Sequence, residues 1–112
     1  MSMDRPNKLF GSPLRTRILV LLHLVGGSFP AELADLLGAN VTSIRRILDD
    51  LELGSVVVSR PIGRVRRVQL NPRWYAAREL AALLERLGEG DPKLSKLSPQ
   101  RRAHPRRPSK DR

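Results

Sequence analysis

Apolar residues recur at helical spacing in four stretches of this chain and give way to β-branched runs in a fifth. Leu14, Ile18, Leu21, Leu22 and Val25 predict a first helix, opened by Ser12-Pro13 and closed by Gly26-Gly27. Leu33, Leu36 and Leu37 predict a second, from Phe29-Pro30 to Gly38. Ile44, Ile47, Leu48 and Leu51 predict a third over 41–53, with Asn40 as its cap and Gly54 beyond its end. Ser55 to Arg60 reads as a strand, Pro61-Ile62-Gly63 as a turn, and Arg64 to Leu70 as a returning strand. Val65 and Val68 fall out of strict alternation, which calls for a bulge or a twist. Asn71-Pro72 repeats the cap-plus-proline start. It predicts a fourth helix bearing Trp74, Ala77, Leu80, Ala81, Leu83, Leu84 and Leu87 and ending at Gly88.

The stretch Pro30 to Glu52 carries the densest signal. Two short apolar-striped helices flank a glycine turn, and small Ala34 sits where crossing helices approach closely. That is the pattern of a DNA-binding helix-turn-helix. The order helix, helix, helix, hairpin, helix predicts a mainly α fold with a small β-hairpin, the winged helix-turn-helix arrangement. The expected organisation is a lead-in over 1–11, one folded domain over 12–87 and a basic disordered tail over 88–112. The tail follows from composition: from Glu89 onward Pro, Ser, Lys and Arg dominate and apolar residues almost vanish.

Charge narrows the choice of partner. The 112 residues carry a formal charge of +10. It divides equally, with 13 basic against 8 acidic residues in 1–87 and 8 against 3 in 88–112. A basic domain with a basic tail points to a polyanion, most plainly nucleic acid. Cysteine is absent, which excludes disulfides and thiolate metal sites and suits a cytoplasmic protein. The only histidines are His23 and His104, so no metal or other cofactor is expected. No apolar run is long enough to cross a membrane, and the first ten residues lack a secretion signal's apolar core. No nucleophile with its base, no phosphate loop and no converging carboxylates occur, so an enzyme is not expected.

The third helix supplies the chemistry. With Ile44, Ile47, Leu48 and Leu51 turned to the core, Val41, Thr42, Ser43, Arg45 and Arg46 face outward in its first two turns. Thr42 and Ser43 can bond phosphates or bases, Val41 can touch a thymine methyl, and an arginine can grip guanine O6 and N7 together. Asp49, Asp50 and Glu52 would repel phosphate, so that end of the helix should point away from a duplex. The competing use of Arg45 and Arg46 is pairing with Asp49 and Asp50 at i+4, worth a few tenths of a kcal/mol. Around the hairpin turn stand Arg60, Arg64, Arg66 and Arg67, with no acid among them. Arg66 and Arg67 must point to opposite faces of a regular strand. Arg15 and Arg17 are secondary phosphate candidates.

Three segments, Leu33-Ala34-Asp35-Leu36-Leu37-Gly38, Ser43-Ile44-Arg45-Arg46-Ile47-Leu48 and Ser59-Arg60-Pro61-Ile62-Gly63-Arg64, together with Asn71-Pro72-Arg73, carry a resemblance. The chain resembles the ArsR/MarR-like winged-helix transcription regulators from about Leu9 to Leu87. The resemblance implies a recognition helix in the major groove and a wing, here 59–67, on the backbone or in the minor groove. It also implies a homodimer paired through the last helix, here Trp74, Leu80, Leu83, Leu84 and Leu87; the competing use of that apolar surface is packing on the protein's own core. Such a dimer sets two recognition helices about one DNA turn apart on a palindromic operator. The expected function is a sequence-specific, double-stranded-DNA-binding repressor, its small-molecule or protein effector unspecified. A non-specific architectural or RNA-associated protein is the alternative, motivated by Arg101-Arg102, Arg106-Arg107 and Lys110. A winged-helix module that binds only protein is a third, opposed by the basic hairpin.

Overall fold

Ser12 is extended, and its Oγ accepts from the Arg15 N–H at 3.1 Å, so the first helix begins at Pro13, whose missing N–H costs nothing there. A computed structural model of the chain describes residues 9–97. The helix α1 (Pro13–Val25) stops at left-handed Gly26. It is followed by α2 (Pro30–Leu37), α3 (Val41–Leu53), β1 (Val57–Ile62), β2 (Val65–Leu70), α4 (Ala77–Glu89) and α5 (Pro92–Ser95). The fold is mainly helical with one two-stranded antiparallel hairpin. Among the described residues no helix is long and apolar enough to cross a membrane.

The core forms around α1, whose Ile18 to Leu22 are all buried. Leu33, Ile44, Leu48, Val57, Val68 and Leu84 close on it from the other elements, each with no exposed surface. Each such side chain stabilises the fold by about 1.5–3 kcal/mol through burial. Between α2 and α3, Gly38 takes φ 63° and lets the chain turn, and the Asn40 side chain accepts from the Thr42 and Ser43 N–H groups at 2.7 and 3.3 Å. These two devices stop one helix and start the next within three residues.

The hairpin needs no bulge. Its pairing runs unbroken from Val57↔Leu70 to Ile62↔Val65. Val68 turns its N–H and C=O away from β1 and exchanges both bonds with Ser28, at 2.7 and 2.9 Å. With Val57 and Val68 buried, residues 57, 59 and 61 and their partners 70, 68 and 66 share the inner face of the hairpin, and Val65 simply lies on the outer face near the tip. The tight turn is Gly63-Arg64 rather than Pro61-Ile62-Gly63. Gly63 has φ 63° while Arg64 does not share the positive φ, the pattern of a type II′ hairpin. Pro61 belongs to β1. Its nitrogen points to the free edge, where no ladder bond is lost.

The fourth helix starts later and ends later than the spacing predicts. Asn71 does not cap it. The Asn71 N–H donates to the Val56 carbonyl, its Nδ2 to the Ser55 carbonyl, and its Oδ1 accepts from the Arg73 N–H. These bonds make a turn over 71–76 and tie it to the start of β1, so α4 begins at Ala77. Gly88 sits inside α4, buried against Val20 and Leu24. The fold also continues past Gly88. Asp91 Oδ1 accepts from the Leu94 N–H at 3.3 Å and opens α5, and Leu94 is 5 % exposed in the core. The expected boundary at residue 88 therefore moves to the end of α5. Residues 1–8 of the lead-in and 98–112 of the tail lie outside the described residues.

Candidate nucleic-acid interface

The helix α3 is divided by charge. Its first two turns expose Thr42, Arg45 and Arg46, with Val41 and Ser43 half-buried. Its last two turns expose Asp49, Asp50 and Glu52. The i+4 pairs do not form. Asp50 instead takes Arg15 from α1, Nη1 to Oδ2 at 2.8 Å. Asp49 takes Arg66 from β2, Nη1 to Oδ1 at 3.0 Å. Arg66 also reaches Glu52 through Nη2 at 2.8 Å and donates from Nε to the Ser59 Oγ. That hydroxyl donates in turn to Glu52 at 3.0 Å. Among the described residues no acid pairs with Arg45 or Arg46.

This arrangement has a steric cause. A side chain on an α-helix leans toward the N-terminus, and arginines placed before the acids on a free surface lose rotamer entropy to reach them. Arg15 and Arg66 come from packed elements, and their side chains are three-quarters and seven-tenths buried. Their aliphatic stems are already confined, so closing the ion pair orders less. The consequence is electrostatic. The acids that would have neutralised the front of α3 are engaged from behind, and two guanidinium charges are left projecting.

The hairpin arginines separate into three environments. Arg66 faces α3 and holds the hairpin to its C-terminal half. Arg67, on the opposite face as strand geometry requires, donates to the Gln69 Oε1 at 2.7 Å. Its guanidinium lies over Gly27, so closely that a Cβ at that position would collide with it. Arg60 and Arg64 are exposed and have no partner among the described residues. The same holds for Arg17 on α1. Of the nine residues proposed for contact, Arg45, Arg46, Arg60, Arg64 and Thr42 are exposed, Val41, Ser43 and Arg67 are partly covered, and Arg66 is committed to α3.

The residues assigned to pairing with a second copy need correction. Leu84 has no exposed surface, and Leu80 and Leu87 pack against the chain's own core. Those three leucines satisfy α4 within one chain. Trp74 lies in the turn before α4, edge-on to Tyr75 at 5.1 Å between ring centres. Only Leu83 of the expected set is exposed, at 38 %. His23, on the α1 side of α4, meets Glu85 at 2.8 Å. It lines an open cleft of about 380 Å³ with Leu22, Leu70, Pro72, Arg78 and Leu80. Among the described residues no group of His, Cys, Asp and Glu is placed to hold a metal ion.

Two features escaped the sequence reading. The Arg66 network joins residues 7 to 17 positions apart in β2, β1 and α3, and no local pattern marks it. The helix α5 did leave a signal. Asp91-Pro92 repeats the cap-plus-proline opening of α1, and Leu94 and Leu97 follow at helical spacing. Compared with models of protein families, with curated proteins and with solved structures, the chain shows no significant match.

Proposed function

We propose that α2 and α3 act as a helix-turn-helix and the β1–β2 hairpin as its wing, and that this winged helix-turn-helix binds double-stranded DNA as a sequence-specific transcription regulator. One observation carries the reading. Arg45 and Arg46 stand exposed on the leading half of α3 with no ion-pair partner among the described residues, while Arg15 and Arg66 occupy the acids behind them. A helix is about as wide as the major groove admits, and its N-terminal residues reach the base edges. In this pose Arg45 and Arg46 read bases or phosphates, Thr42 and Ser43 bond the backbone, and Arg60 and Arg64 extend the contact along the duplex. The positive end of the helix dipole favours the same approach.

Homodimerisation remains part of the proposal with a changed surface. A second copy would meet the outward side of α4, where Ala82 and Leu83 lie between Glu79 and Arg86. Two such helices packed antiparallel set Glu79 of one against Arg86 of the other. No catalytic step belongs to this reading.

Enrichment of random duplexes on the purified chain tests it. A recurring motif is expected, two-fold symmetric for a dimer, and Arg45→Ala or Arg46→Ala should relax it at one or two base pairs. Equal binding of random and selected duplexes at moderate salt would remove the specific-regulator reading. It would favour the architectural or RNA-associated alternative, which the basic sequence of 88–112 supports.

A further inference from the structure

The outer face of the hairpin carries three of the large apolar side chains that the described residues leave exposed. Val58 is 37 %, Ile62 43 % and Val65 48 % exposed. The unbroken register places them together: Val58 and Ile62 alternate with Arg60 on β1, and Val65 and Arg67 follow each other at period two on β2. Ile62 and Val65 are the last cross-strand pair, flanking the Gly63-Arg64 turn. The tip is thus two branched apolar side chains directly opposite each other. Arg64 lies between them and Arg60 one step behind, both without a partner among the described residues.

Solvent gives no reason for this. Branched apolar side chains at a hairpin tip lose favourable burial, and exposed edges are ordinarily guarded with charge or proline alone. Pro61 and the arginines already guard the edge. Arg60 and Arg67 are also direct cross-strand partners, a like-charge pair that destabilises a sheet, and Arg67 relieves it by leaning onto Gly27. An approaching polyanion reverses that penalty for Arg60 and Arg64. An apolar pair bracketed by free cations matches a duplex minor groove, where arginines reach the phosphates and apolar wedges enter a base step.

We propose that Ile62 and Val65 form a wedge that enters a base step from the minor groove and kinks the duplex, with Arg60 and Arg64 held by the flanking phosphates. The inference rests on the DNA-binding reading above and adds a distortion that reading does not require. It also adds indirect sequence preference. Pyrimidine–purine steps unstack most readily, so binding should favour a TA or CA step under the hairpin although no side chain there reads a base edge.

The test uses the full chain and a duplex of about 30 base pairs, long enough for one bent site. The duplex has a central TA step in an A·T-rich context, a fluorescence donor and acceptor at its ends, and 2-aminopurine at the step. At low salt the wild-type chain should shorten the end-to-end distance by a bend of at least about 20° and brighten the 2-aminopurine. Ile62→Ser/Val65→Ser alters only exposed positions, so its helical circular dichroism and melting should match wild type. It should bind within about tenfold of wild type with the same salt slope, yet leave the duplex straight and the 2-aminopurine dark. Arg60→Gln should do the converse, lowering the salt slope by about one while keeping the bend. A wild-type chain that binds with a full salt slope and no bend overturns the wedge and spares the DNA reading. No binding at any salt removes both. A bend that survives Ile62→Ser/Val65→Ser assigns the distortion to another element and overturns the wedge. A change of sedimentation in that variant without change in the DNA makes this face a contact between copies, and likewise overturns it.

Discussion

The two halves of α3 have nearly the same backbone and opposite electrostatic fates. At the front, Arg45 and Arg46 project without a partner among the described residues. At the back, Asp49, Asp50 and Glu52 are held by arginines from α1 and β2. An exposed ion pair contributes about 0.2–1 kcal/mol in either arrangement. Stability alone therefore chooses weakly between pairing along the helix and pairing across elements. What differs is the surface left behind. Pairing along the helix would have given a neutral face. Pairing across elements gives a helix with a cationic front end and an acidic end tied into the fold, and it fixes the hairpin to that acidic end.

The comparison breaks most visibly where the halves share an anchor. Leu48 lies between them on the core side with no exposed surface. Leu48→Ala should lower unfolding free energy by about 2–5 kcal/mol in urea titration, taking DNA binding with it. A smaller loss would mean that α3 is not seated in the core as described. The front half should then behave oppositely. Arg45→Ala and Arg46→Ala should leave stability within about 0.5 kcal/mol, since both are exposed and no described residue pairs with them. Each that grips a guanine should lose ~1–3 kcal/mol of discrimination, read from competition between matched and mismatched duplexes.

Arg66→Ala sharpens the contrast from the other side. It removes three bonds at once and leaves Asp49 and Glu52 open to solvent. With those acids more than two-fifths exposed, the expected loss is only about 1 kcal/mol. Amide hydrogen exchange in the hairpin should accelerate more than in α1. If Arg66→Ala is silent in exchange, the network does not hold the hairpin to α3.

The helices α1 to α3 were legible because their signals are local: an apolar stripe, a capping side chain and a stop glycine within one window. Ser12, Asn40 and Gly38 do what their positions predict. Asn71 shows the limit of such signals. The same side chain that caps a helix can close a turn, and its choice depends on the Ser55 and Val56 carbonyls, which lie 16 and 15 residues away. Leu84 shows another limit. Spacing puts it on a stripe with Leu80 and Leu87 but does not say whether the stripe faces the chain's own α1 or a second copy. The candidate interface was legible as a set of residue types. The selection within it, Arg45 and Arg46 free but Arg66 committed, came from pairs between distant elements.

The smallest effect discriminates between the two halves most sharply, because its sign differs with the quantity measured. Asp50→Asn keeps the shape of the side chain and removes the ion pair with Arg15. Stability should fall by about 0.2–1 kcal/mol, the range for an exposed pair. Duplex binding should strengthen instead. The substitution deletes a negative charge from α3 and releases the Arg15 guanidinium on the adjoining helix, so the log–log salt slope should steepen by up to about one. Were Asp50 merely one of many solvated charges, both measurements would stay at wild-type values. Were its half of the helix the one that meets DNA, for instance by accepting a bond from a cytosine amine, binding would weaken along with stability. Weaker binding in Asp50→Asn with Arg45→Ala inert would reverse the assignment of front and back.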